Sequence, residues 1–301
     1  MKPSTNNRSK PFRQPKHALT PSAFTLEAAE KWALQKSRNL LADQFRIRAF
    51  WYINFVWQAA PEERKTRYTI KLAQSEEYGR SCGLTPALPD PDPDLVGKDA
   101  RQLLRDGLCR DDIDRTALID LIMGHIPGSA NEYVELDALL AVKYATRARI
   151  FAAEADSILR RKGLETLKGQ KLSVVVIGAT AGIISALIRQ GFIVSATDLA
   201  PEIVGRELGG VKVCNGITSN AKLIKSADLA IITGMSLPNG TLPHIMSLAK
   251  MNNTSTLIWA ITGKNFGPYY VEHGVDCVIS DPSPFLMLPG PAKLAIWRRL
   301  Q

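Results

Sequence analysis

From Leu172 onward, apolar residues come in short runs separated by glycines and small polar residues. The stretch "KLSVVVIG", Lys171 to Gly178, is a continuous β-branched run, the pattern of a strand covered on both faces. A helical "GIISALIRQ" follows, then Gly191 and the strand "FIVSATD", which ends at Asp198. Further on come a short "VKVCNG", the strand "ADLAIIT" ending at Thr233, the helix "TLPHIMSLAK", the strand "STLIWAIT" and finally "DCVIS". Strands and helices alternate at intervals of roughly 20 to 30 residues, which predicts βαβ units and a parallel sheet with helices on both faces. The expected fold class is α/β, with a Rossmann-like parallel sheet over residues 169–301.

The preceding segment, residues 23–168, has a different rhythm and predicts a mostly helical domain. "TLEAAEKWALQKSRNLLADQFRIRAFWYINFVWQ" keeps Trp32, Leu40, Leu41 and Phe45 at helical spacing, with Thr25 as N-cap and Glu27 in the first turn. The proline-rich "GLTPALPDPDPDLVG" interrupts the helical pattern. "DARQLLRDGL", "DRTALIDLIMGHI" and "NEYVELDALLAVKYATRARIFAAEADSILRRKG" resume it, the last closing on basic residues and Gly163. The run "AFWYINFVWQAA" falls short of the ~20 residues that span a bilayer. It is expected to be a core or interface helix, with Trp51, Phe55 and Trp57 joining copies of the chain in a homo-oligomer. Residues 1–22 are basic and rich in Pro, Ser and Asn, and read as a disordered leader.

A 45% apolar and 22% charged composition is that of a soluble globular protein with a real core, not of a disordered chain. The net charge of +9 is concentrated in the leader and in "IWRRL" at the end, so it reads as basic tails. No zinc-finger spacing or aromatic RNA-binding signature accompanies it, and no nucleic-acid or membrane partner is expected. The cysteines, Cys82, Cys109, Cys214 and Cys277, are scattered without a CxxC, which suits reduced thiols in the cytoplasm.

In a doubly wound sheet the ligand crevice lies outside the carboxyl ends of the strands. On that rule the first strand delivers Gly178, Ala179, Thr180 and Gly182, whose small side chains let a ligand approach the following helix N-terminus. The second strand ends in Asp198, where a ribose-binding acid is common; a local cap is the alternative. Asn215 follows the third strand, with Ser219 or Asn220 as possible caps of a helix there. Thr233 and Gly234 end the fourth strand, followed by Ser236, Asn239 and Thr241, the last two equally able to be helix caps. Thr262, Gly263 and Lys264 end the fifth. Cofactor contacts are expected from Gly178, Ala179, Thr180, Gly182, Asp198, Asn215, Thr233 and Gly234, and substrate contacts from Ser236, Asn239, Thr241, Thr262, Gly263 and Lys264. Glu272, His273, Asp276 and Cys277 crowd together, but Gly274 and strand alternation separate them, so no metal site is expected. Tyr269 and Tyr270 read as packing residues, and no catalytic set stands out.

"ADLAIITGMSLPNGTLPHIMSLAK" followed by "GPYYVEHGVDCVIS" resembles the Rossmann-like domain of the heavy-metal chelation domain family. The matching positions are Thr233, Gly234, Asn239, Gly240, Thr241, Leu242, Gly274, Val275 and Asp276. The resemblance covers Leu172 to Pro289 and implies a ligand crevice, with a link to metal-chelating metabolites carried by the family name. Family members carry a small α+β domain in front, where this chain reads as helical. "ATDLAPEIVG" is similar to methyltransferase-like proteins, which makes S-adenosylmethionine the first cofactor expectation and a transferase-like enzyme the first functional one. An NAD(P)-dependent oxidoreductase and a non-catalytic binding protein for a metal chelate are the alternatives.

Overall fold

The computed structural model describes residues 20–57, 66–83, 93–164, 171–280 and 289–299. Thr25 caps α1 (Leu26–Lys36), its Oγ1 accepting the Ala28 N–H at 3.1 Å, with Glu27 in the first turn. The helix stops at Lys36, and the chain passes through a short 3-10 turn into β1 (Ala49–Trp57). β1 pairs antiparallel with β2 (Thr66–Gln74), which pairs antiparallel with β3 (Tyr78–Gly83). The mostly helical reading of residues 23–168 is therefore corrected: the aromatic run is a strand, not an interface helix. Phe50, Trp51, Tyr52 and Ile53 are aromatic and β-branched types that favour a pleated, half-buried surface, and a short apolar run has no period that excludes a strand. Trp51 is 48% exposed. The side chains of Phe55 and Trp57, also assigned to an oligomer contact, and the leader up to residue 19 lie outside the described residues.

α2 (Ala100–Arg105) and α3 (Asp112–Gly124) cover one face of this small sheet. α3 lies so close to β3 that a Cβ on Gly79 would fall 2.0 Å from the Leu121 nitrogen. The last stretch expected as a single helix splits into β4 (Glu132–Leu136) and α4 (Leu140–Arg161). Gly163, at φ 71°, closes α4 as expected, its N–H donating to the Arg160 carbonyl at 2.8 Å.

The remaining elements are β5 (Ser173–Ile177), α5 (Ala181–Arg189), β6 (Ile193–Asp198), β7 (Glu207–Leu208), β8 (Val211–Asn215), α6 (Gly216–Ser226) and β9 (Leu229–Thr233). They continue through α7 (Leu242–Met251), β10 (Ser255–Ala260), α8 (Gly267–Glu272), β11 (Cys277–Ser280) and β12 (Ala292–Arg298). The larger sheet has the order β4-β12-β11-β10-β9-β5-β6-β8-β7. β11, β10, β9, β5, β6 and β8 are mutually parallel, and β12, β4 and β7 add antiparallel edges. The molecule is thus a mixed α/β fold built on a large, mostly parallel sheet.

Alternation along the strands divides the core. Val174, Val176, Leu229, Ile231, Leu257 and Ile279 meet Phe151 and Ile158 of α4 and Ile183 and Leu187 of α5. Val175, Ile177, Ala230, Ile232, Ile258 and Val278 face the opposite helix layer, including Ile224, Ile245 and Tyr270, and that core continues into α1 and α3. Tyr269 and Tyr270 belong to an aromatic cluster with Phe24, Trp32 and Phe266, and the Tyr269 hydroxyl donates to the Ala23 carbonyl. The closing arginines are not a solvated tail: Arg298 Nε donates to Glu154 of α4 at 2.9 Å, and Arg299 binds Asp276 at 3.0 Å. Among the described residues, no helix is long and apolar enough to cross a membrane, and Cys109, Cys214 and Cys277 are free thiols.

Candidate functional site

From β5 the chain moves outward through β6 and β8, then returns to β9 and moves the other way through β10 and β11. The direction reverses between β5 and β9, and in doubly wound sheets the ligand side lies at the carboxyl ends of the strands flanking such a reversal. Gly178, at φ 89°, makes the first turn out of β5, and a Cβ on it would lie 2.6 Å from Thr233 Cγ2 at the end of β9. Glycine is required twice over, by the left-handed backbone and by the contact. The turn is tied to β6 by Asp198, whose Oδ2 accepts the Ala179 N–H at 2.9 Å. Its Oδ1 accepts the N–H groups of Leu199 and Ala200 at 2.7 and 2.9 Å. Burial raises the Asp198 carboxyl above its ordinary range, and these three donors oppose that shift.

Thr180 stands at the N-cap of α5 without a side-chain cap bond, and Gly182 in the first turn is exposed, with nothing within 4 Å of where its Cβ would be. The first amides of α5 therefore lack a side-chain acceptor from Thr180, a setting that favours an anion. Asn215 caps α6, accepting the Ile217 N–H at 2.9 Å; Asn220 instead accepts the Thr197 hydroxyl at 2.7 Å.

The two Thr-Gly pairs meet: a Cβ on Gly234 would lie 2.4 Å from the Thr262 carbonyl oxygen. Thr233 Oγ1 accepts the Met235 N–H at 3.4 Å and starts a 3-10 turn, Gly234–Ser236. Ser236 and Thr262 are buried, so they build the loops rather than line open space. Asn239 accepts the N–H and the hydroxyl of Thr241 at 3.1 and 2.7 Å, a local turn and not a cap on the helix amides of α7. Met235 and Ile261, which flank these loops, pack on Ile53, Ile70 and Leu72 from the free face of the small sheet. The N-terminal sheet thus covers the loops that follow β9 and β10.

Lys264 lies beyond Gly263, which takes φ 68° to turn the chain after β10. Burial lowers the Lys264 ammonium, and nearby Asp120 opposes the change. Asp120 is fully buried and pushed up to about 6 chiefly by burial. Neither Asp120 nor its partner Arg80 was picked out by the sequence. The available signal was one acid inside the apolar "LIDLIM" of α3. The group Glu272, His273, Asp276 and Cys277 does not converge: His273 Nδ1 lies 2.7 Å from the Tyr269 carbonyl oxygen, and Asp276 accepts the Thr256 N–H at 2.9 Å.

Residues 164–263 match the model of the family DUF364, whose description reads "Putative heavy-metal chelation". Among solved structures the chain is similar to a protein of unknown function from the DUF364 family of Desulfitobacterium hafniense DCB-2, at 12% identity over 89% of this chain and 98% of that chain, with TM-score 0.49. It is also similar to a mandelate racemase/muconate lactonizing enzyme from Roseiflexus sp., at 12% identity over 77% and 87% of the two chains, with TM-score 0.31. A third is a D-isomer specific 2-hydroxyacid dehydrogenase family protein from Klebsiella pneumoniae 342, at 14% identity over 38% and 50%, with TM-score 0.25. No curated protein matches the sequence. Among the described residues, no group of three or more His, Cys, Asp or Glu is placed to hold a metal ion, so these residues do not fit the metal chemistry in the family's description.

Proposed function

We propose that residues 169–301 form a Rossmann-like domain that binds S-adenosylmethionine, or a related adenosyl compound, in the crevice between β5 and β9. The chain then acts as a small-molecule transferase. The strand order, read outward from β5 and β9, is that of doubly wound nucleotide-binding sheets, which supports the Rossmann-like reading. The observation that carries the ligand reading is the union of three features at one point. Gly178 is in left-handed backbone, the first turn of α5 lacks a side-chain cap, and Asp198 is locked beside both.

On this reading the amides of Ala181 and Gly182, at the start of α5, take the ligand's carboxylate. Asp198 has about four lone-pair sites, of which backbone donors occupy three, leaving one for a ribose hydroxyl. Thr233 and Gly234 stand at the reacting end, and Asn215 marks the far wall. Asn239 and Thr241, with Lys264 on the neighbouring loop, are on the substrate side; buried Ser236, Thr262 and Gly263 shape those loops. The family description suggests a metal-chelating metabolite as the methyl or aminopropyl acceptor.

Titration calorimetry of the full chain with S-adenosylmethionine, S-adenosylhomocysteine and NAD tests the reading. Binding of an adenosyl compound that Asp198→Ala abolishes supports it. Binding of NAD alone moves the assignment to a nicotinamide-dependent oxidoreductase, and no binding of any of the three rejects it.

A further inference from the structure

The small sheet and α3 do more than cover the loop after β10, because Asp120 reaches across to it from the middle of α3. Its Oδ2 accepts the Arg80 N–H of β3 at 2.7 Å, and its Oδ1 accepts the Asn265 N–H at 2.7 Å. The Asp120 carbonyl also accepts from Asn265 Nδ2 at 2.9 Å. Arg80 completes the connection: its Nε donates to the Ile261 carbonyl at 2.6 Å, and its own carbonyl accepts the Gly263 N–H at 2.9 Å. The turn from Ile261 to Asn265 is thereby held at both ends by β3 and α3, and Lys264 lies within it, close enough to Asp120 and Glu77 to feel both charges. Gly124, one turn further along α3, also requires this approach, since a Cβ there would lie 2.8 Å from Asn265 Nδ2.

We propose that Asp120, as a carboxylate accepting from Arg80 and Asn265 together, is the positioning residue that sets where the Lys264 amine stands. The role rests on the crevice reading only for its functional consequence; the mechanical link stands without a ligand. An ionised carboxylate suits this task because both oxygens accept, whereas a carboxylic acid or an amide must turn one donor toward an N–H. The charged and titratable groups around it come from several elements. Arg80 on β3 and Lys264 on the turn favour the carboxylate, and Tyr270 of α8 adds a hydroxyl that burial keeps protonated. Glu77 acts on Lys264 from the approach to β3, and on His125, which follows α3 and lies 2.8 Å from Ser75 Oγ. With Asp120 pushed up to about 6, the link is intact at neutral pH and one of its two acceptors is lost on acidification.

Amide hydrogen exchange of the full chain between pH 5 and pH 8, corrected for intrinsic exchange, tests this without any ligand. Protection at Arg80, Gly263 and Asn265 is expected to fall about tenfold as pH drops through 6, while Ile231 and Ile258 in the sheet are unchanged. Asp120→Asn should show the same local loss already at pH 8. It should also speed acylation of Lys264 by an amine-reactive ester, because the neighbouring negative charge that holds its proton is gone. Flat protection at these three amides across the pH range overturns the proposal, as does an Asp120→Asn variant with unchanged Lys264 labelling. If the variant fails to fold, the wild-type pH series decides alone. A normal exchange result combined with no adenosyl binding would reject the cofactor and leave the positioning role standing.

Discussion

The two ends of the parallel strands use carboxylates in different ways. At the edge where the parallel strands begin, Asp228 accepts from the N–H and hydroxyl of Ser173, both at 2.9 Å, and ties β9 to β5. Asp276 accepts the Thr256 N–H and is also paired with Lys162 at 3.1 Å and Arg299 at 3.0 Å. At Asp276 that edge is closed by side-chain cations. At the edge where the strands end, Asp198 takes backbone donors from Ala179, Leu199 and Ala200, and the neighbouring turns are glycines. The lesson is that a carboxylate neutralised by side-chain cations locks an edge. One held by N–H groups fixes a turn yet leaves polar backbone facing outward, where a ligand can use it.

The largest expected effect attacks the closed edge. Asp276→Ala leaves Lys162 and Arg299 without their shared acceptor and the Thr256 amide buried without a partner, which should cost about 3 kcal/mol in chemical denaturation. Affinity for S-adenosylmethionine should be unchanged at temperatures where the variant is folded. An affinity loss larger than the folded fraction explains would show that the edges are not independent.

Gly178→Ala attacks the open edge. It forces a side chain into φ 89° and brings a methyl to 2.6 Å from Thr233 Cγ2. The cost should be about 2 kcal/mol, with loss of ligand binding. Thr233→Gly removes both that Cγ2 and the Cβ that the new methyl would meet at 2.7 Å, so the double variant should recover about 1 kcal/mol of the sum, a coupling that a thermodynamic cycle measures.

The third prediction concerns pH. The Asp120 carboxyl stands near 6 in the folded chain against 3.8 for a free one, so the folded state holds its proton more tightly. The resulting stabilisation is fully present below pH 3.8 and lost as pH rises through 6. Unfolding free energy should therefore rise by about 1–2 kcal/mol between pH 7 and pH 4 from this group, and Asp120→Asn should flatten that slope. Local protection of the 261–265 turn moves the other way, because protonation removes one acceptor. Global and local stability running in opposite directions would distinguish this acid from Asp276.

How far these features could be read from the residues depends on periodicity. β5 was legible because Val174, Val175, Val176 and Ile177 are buried on both faces, which demands an unbroken β-branched run. The crevice-side glycines were legible from strand–turn–helix punctuation. β1 was not, since an edge strand of aromatic residues with Phe50 buried and Trp51 exposed looks like any short apolar run. β4 was hidden for a related reason: "EYVEL" runs straight into α4 without a proline or glycine between them. Arg80 and Asp120 were out of reach for a different cause. Their meaning is a contact over 40 residues of separation, and another of 145 from Asp120 to Asn265, which no local pattern encodes.

The smallest expected effect separates loop from site. Asn239 is exposed, and its side chain bonds only to Thr241, two residues on, through the N–H at 3.1 Å and the hydroxyl at 2.7 Å among the described residues. Such a local side-chain turn is replaceable by water, so Asn239→Ala should cost about 0.5 kcal/mol of stability. Its effect on S-adenosylmethionine affinity should be nil if the adenosyl ligand takes the proposed place on the Gly178–Asp198 side of Thr233. If it contacts the second substrate, turnover should fall at unchanged cofactor affinity. A drop in cofactor affinity instead would extend the cofactor pocket past Gly234 and redraw the line between the cofactor and substrate sides of the open edge.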